Sequence, residues 1–163
     1  MIEALRTCYK QFSEELDDFD TVEIMNFAKE TVPEEFEDKI SYLLFNAIFD
    51  VNIAKNIAKN KTLLERVFKE LKVKDPESDI LLNLEVFLFE KNSAVDFEKY
   101  IPTIIKLFYD AELLSEEFLI NWKEDKLTEK LSKDFRFEKT RDEKLKIAAK
   151  PFLDWISKYK ILK

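Results

Sequence analysis

Two stretches of this chain bring tryptophan, tyrosine and carboxylates together at close spacing: LFYDAELLSEEFLINWKEDK, Leu107 to Lys126, and PFLDWISKYK, Pro151 to Lys160. An aromatic ring beside clustered carboxylates can take the aliphatic stem of a lysine while an acid pairs with the ammonium. The candidates for such partner binding are Tyr109, Asp110, Glu112, Glu116, Glu117, Trp122, Glu124 and Asp125 in the first stretch, with Asp154 and Trp155 in the second. A plainer reading stands beside this one. Tryptophan is also an ordinary core residue, and acids behind a capping Ser115 are what the first turn of a helix favours. In that reading Phe118 and Trp122 share a packed face, and the acids face water.

A second surface is basic. Lys123, Lys126, Lys130, Lys133 and Arg136, followed by Lys139 and Arg141, could contact phosphates, although Glu129, Asp134 and Glu138 interrupt them as on any solvated helix. The charge is divided along the chain. Residues 1–120 hold 26 acids against 14 bases, and residues 121–163 hold 8 against 13, within a total of -7. The densest acidic run lies between Phe12 and Asp38, from Glu14 and Glu15 through Glu37, and contains one base, Lys29. It reads either as a solubilising helix surface with acidic first turns or as a landing field for a lysine-rich segment.

Composition removes most catalytic chemistry. With no histidine and one cysteine, Cys8, the chain cannot build a Cys/His zinc site, a Cys/His pair or a Ser/His/Asp triad. With no glycine it lacks phosphate-cradling loops and the usual residue of tight hairpins. Neither a catalytic residue, a metal nor a cofactor is expected. No apolar run approaches the ~20 residues that span a bilayer, and no leader opens the chain, so the expectation is a cytoplasmic protein without a membrane partner.

The elements that position these residues are helices. Leu5, Cys8, Tyr9, Phe12 and Leu16 keep helical spacing, as do Ile40 through Val51, Leu63 through Leu71, and Ile101 through Ala111 from a start near Glu98. Thr62 with Glu65, and Thr140 with Glu143, match the capping box, while Asp75 and Pro76 read as N-cap and first residue of a helix running to Glu90. That helix is apolar all round, so its neighbours must cover it. The connections are short, and the 163 residues suit one domain.

YDAELLSEEFLINW and PFLDWI resemble the paired aromatic and acidic boxes of the C-terminal HEAT-like domain of eukaryotic translation initiation factor 5. Tyr109, Asp110, Leu113, Leu114, Ser115, Glu116, Glu117, Leu119 and Trp122 occupy the positions of the first box, and Pro151, Phe152, Asp154, Trp155 and Ile156 the front of the second. Where relatives continue with glutamates, this chain has Ser157, Lys158, Tyr159, Lys160 and Lys163. The resemblance implies an all-α, HEAT-like solenoid of antiparallel helical pairs forming a single domain over 1–163, with boxes at about 107–126 and 151–160. It implies a non-catalytic, monomeric interaction module of translation initiation. Such a module docks the lysine-rich beta subunit of initiation factor 2, and initiation factors 1 and 3, without binding DNA. Two alternatives stay open: a nucleotide-exchange domain like the end of initiation factor 2B epsilon, and an RNA- or ribosome-binding helical domain.

Overall fold

A computed structural model describes residues 1–12 and 16–162, with side chains through Tyr159. Among the described residues every regular element is helical, as expected. The chain divides into two compact units, Met1–Pro76 and Glu77–Lys163.

The first unit contains α1 (Ile2–Lys10), α2 (Asp18–Thr31), a 3-10 stretch (Glu34–Lys39), α3 (Ile40–Ile48), the single turn α4 (Ile53–Asn56) and α5 (Lys61–Glu70). Helix α1 packs on α2 and α3, and α2 packs on α5. Their shared core includes Leu5, Ile24, Met25, Leu44, Phe45 and Leu63. Helix α1 stops at Lys10, short of the expected Phe12 and Leu16. Val51 lies beyond α3 and is 55% exposed. In the acidic run, Asp17 caps α2 by accepting the Asp20 N–H at 2.8 Å, while the Asp20 carboxylate accepts the Asp17 N–H. This is the helix-start role of the plainer reading, whereas Glu14 and Glu15 lie outside the described residues.

Helix α6 (Pro76–Val86) lies in the second unit from its second residue, Glu77, onward and widens into a π turn at Phe87–Lys91. After a 3-10 turn (Glu98–Tyr100) come α7 (Ile101–Asp110), α8 (Glu116–Lys123), the single turn α9 (Thr128–Leu131), α10 (Lys139–Ala148) and α11 (Lys150–Leu162). Every residue of α6 from Ser78 to Val86 is buried, as its all-round apolar surface requires. Helix α11 packs on α7, α8 and α10.

Neither threonine capping box forms. Helix α5 continues from a 3-10 turn (Ala58–Asn60) already in helical conformation, so no fresh N-terminus exists for Thr62 to cap. At α10 it is Glu138 that caps, its carboxylate accepting the N–H groups of Thr140 and Arg141, both at 3.1 Å.

A chain without glycine must still end its helices. Lys72, Glu112 and Asp125 adopt left-handed φ of 52°, 62° and 60°. Each closes a Schellman motif: Val73 N–H reaches Phe68 O, Leu113 N–H reaches Phe108 O and Lys126 N–H reaches Asn121 O, all at 2.9 Å. Non-glycine residues pay about 1 kcal/mol or more for this conformation. Two of the three lie inside the first aromatic and acidic stretch.

Candidate partner-binding site

The first stretch is the corner between α7 and α8, and its shape follows from its residue types. Leu113 and Leu114 fill the turn and are buried. Ser115 caps α8 as expected, its Oγ accepting the Phe118 N–H at 3.1 Å, and its own N–H donates to Glu77 Oε2 at 2.6 Å. Glu116 and Glu117 then occupy the first turn, where the positive end of the helix dipole favours carboxylates.

Trp122 is a core residue rather than an exposed one. Its side chain is 1% exposed, and its Nε1 donates to Asp142 Oδ1 at 3.0 Å. No partner lysine can reach the ring. Lys146 of this chain already sits 5.7 Å from the ring centroid, with Nζ 2.5 Å from Asp125 and 3.7 Å from Asp142. A buried indole must satisfy its N–H, and here the buried Asp142 provides the acceptor. Nothing in the local spacing of the sequence pointed to Asp142, because it stands 20 residues away in another helix.

Beneath Asp142 lies a further group that the sequence did not single out. Glu85 is 0% exposed, and neither of its oxygens meets a hydrogen-bond partner in ordinary geometry. Burial, and next the neighbouring Asp142 carboxyl, push its pKa up to about 10. Glu85 is therefore protonated at neutral pH, held so by its burial and by the Asp142 carboxyl beside it.

The remaining acids of the boxes separate into two groups. Asp110 pairs with Lys106 at 2.7 Å, Glu124 with Lys126 at 2.8 Å and Asp125 with Lys146. Asp154 lies between Lys150 at 2.6 Å and Lys123 at 3.1 Å, and these two lysines hold its carboxyl below the usual range. A bond from Lys146 does the same for Asp125. By contrast, Glu112 and Glu117 are exposed and, among the described residues, meet no basic side chain. Glu112 stands at the helix end and Glu117 at the next helix start, so both carboxylates flank one corner.

The two boxes meet in space. Tyr109 of α7 lies 5.7 Å from Phe152 of α11, ring centroid to centroid, and Lys123 of α8 donates to Ser157 of α11 at 3.1 Å. Trp155 is 50% exposed and Tyr109 is half-buried.

The basic surface is not assembled as expected. Arg136 is buried, its Nη1 2.7 Å from Asp79 and 2.8 Å from Asn83, and its Nη2 2.7 Å from Asp134. This guanidinium is fixed between two carboxylates and is not part of an exposed basic face. Lys123 and Lys126 are engaged by Asp154 and Glu124. Lys130 and Lys133 are exposed.

Among the described residues no helix is long and apolar enough to cross a membrane. The fold and the paired boxes define an all-helical, HEAT-like interaction domain. The sequence model of the W2 family, eIF4-gamma/eIF5/eIF2-epsilon, matches residues 76–159, just over half of the 163-residue chain, and the chain belongs to that family. A solved structure, the C-terminal domain of translation initiation factor 5 at low pH, is similar with a TM-score of 0.63 and 26% identity, covering 98% of this chain and 92% of the other. No curated protein sequence matches the chain significantly. The chain is thus a protein-interaction module of translation initiation.

Proposed function

We propose that the chain is a non-catalytic, cytoplasmic adaptor whose α7–α8 corner docks a lysine-rich segment, the beta subunit of initiation factor 2 being the expected partner and initiation factors 1 and 3 further ones. The observation that carries this is the pair of exposed carboxylates, Glu112 and Glu117, that flank the α7–α8 corner and, among the described residues, meet no basic side chain. Unpaired charges of one sign steer an oppositely charged segment and need not first break an internal ion pair. Asp110, whose exposed pair with Lys106 is weak, and Glu116 add to the same field. Trp122 and Asp142 shape the corner from inside.

The test is a double charge reversal, Glu112→Lys with Glu117→Lys. Binding of a labelled lysine-rich segment of the beta subunit, read by fluorescence anisotropy, is expected to weaken about tenfold or more, with the thermal melt shifted little. Undiminished binding by the reversed protein refutes the proposal. Accelerated GDP release from initiation factor 2 on adding the chain would favour the exchange-domain alternative instead.

A further inference from the structure

Helix α11 carries a surface of different chemistry. Its aromatic residues recur about one turn apart, and while Phe152 is buried against Tyr109, Trp155 and Tyr159 are 50% and 40% exposed. The three rings form one stack. Phe152 and Trp155 lie 5.7 Å apart at 27°, and Trp155 and Tyr159 lie 5.5 Å apart at 6°. Phe152 precedes Trp155 by one turn and Tyr159 follows it by one, so the half-exposed indole has a ring neighbour in each direction along the helix. Two adjacent large rings left in water are the mark of a binding surface.

The charge around this ladder is positive. Lys150, Asp154 and Lys158 follow one another at four-residue spacing along the same helix, and Asp154 is the one acid between Lys150 and Tyr159. That acid is already bracketed by Lys150 and Lys123, while Lys158 is exposed.

Three kinds of occupant can be weighed against these facts. A lysine-rich segment would meet like charge from Lys150 and Lys158. Single-stranded nucleic acid needs several open cations for its phosphates, yet Lys123 and Lys150 are both engaged by Asp154. An acidic amphipathic peptide needs no run of open cations: its apolar side chains pack on the exposed rings of Trp155 and Tyr159 and its carboxylates pair with Lys158, which is exposed.

We infer that the exposed ladder of Trp155 and Tyr159, framed by Lys150 and Lys158, is a second docking surface that takes an acidic amphipathic segment of a partner protein. The inference rests on the reading of the chain as an interaction module but uses residues separate from the α7–α8 corner. One chain would then hold a basic partner at one surface and an acidic one at the other.

The intact chain is titrated with three labelled probes and followed by anisotropy: an amphipathic peptide with Glu on one face and Leu and Phe on the other, the same peptide with Lys replacing Glu, and oligouridylate. The acidic peptide is expected to bind saturably, and Trp155→Ala or Tyr159→Ala to weaken it about tenfold. Lys158→Glu, which alters an exposed side chain only, should weaken it comparably and answers the question if an aromatic variant loses its fold. Glu117→Lys should leave the acidic peptide's affinity unchanged while weakening the lysine peptide, so the two docking surfaces fail independently. Tighter binding of oligouridylate or of the lysine peptide through Trp155 and Tyr159 overturns the inference. So does acidic-peptide binding undiminished in both Trp155→Ala and Lys158→Glu.

Discussion

Replacing Glu85 by glutamine should make the protein more stable at neutral pH and flatten the dependence of that stability on pH. Glu85 is 0% exposed, and its pKa rises from 4.5 to about 10 on folding. The native state therefore binds one more proton than the unfolded state across this interval. Because the folded pKa is the higher one, this carboxyl's contribution is fully present below about pH 4.5 and is lost progressively as pH rises towards about 10. Each pH unit in that window removes about 1.4 kcal/mol. At pH 7, about 2.5 units above the unfolded value, the accumulated loss is at most about 3.5 kcal/mol. Glutamine keeps the shape of the protonated acid and carries no proton to lose, so Glu85→Gln should recover up to that amount at pH 7 and little at pH 5. Urea unfolding followed by tryptophan fluorescence measures it, because Trp122 and Trp155 both lie in the second unit and Trp122 is the buried one. Parallel pH profiles for the two proteins, or a Glu85→Gln variant less stable than the parent at pH 8, would refute the assignment of Glu85 as a buried, protonated acid.

Two further outcomes follow from the geometry. Lys72→Gly and Glu112→Gly, each relieving a left-handed φ at a helix end, should raise stability by about 0.5–1 kcal/mol, seen as a higher melting temperature by circular dichroism; a lower one would count against the Schellman ends. Arg136→Ala should destabilise by about 3–5 kcal/mol in urea, because it removes the buried cation that Asp79 and Asp134 share, and a variant that melts unchanged would return Arg136 to the surface.

The helices were legible in the sequence because apolar periodicity reports directly on the buried face, and α6, apolar all round, could only be central. Ser115, with two glutamates behind it, was legible as a cap for the same local reason. What the sequence could not give was the pairing of charges across helices. Trp122 and the acids beside it form one continuous string, yet the tryptophan points inward to Asp142 while Glu112 and Glu117 point outward. Arg136, in a string of surface lysines, is drawn inside by Asp79 on a helix 57 residues earlier. The capping boxes failed where a preceding turn or a neighbouring side chain had already satisfied the first N–H groups, a circumstance a four-residue pattern does not contain.

The loss of acids from the second box and the pairing of acids in the first have one physical basis. The single carboxylate left on the front of α11, Asp154, binds Lys123 of α8, so it ties the two boxes together rather than meeting a partner. A run of glutamates after Trp155 would compete for the same lysine and for Lys150. With lysines there instead, the contact between α8 and α11 stands without a rival, and the rings of Trp155 and Tyr159 are framed by charge opposite to that of the α7–α8 corner. Two neighbouring surfaces of opposite sign repel each other's ligands, so a segment bound at one cannot slide onto the other. If both proposed surfaces bind, specificity between them would come from the placement of a few lysines, with Trp122 in the core and Trp155 exposed.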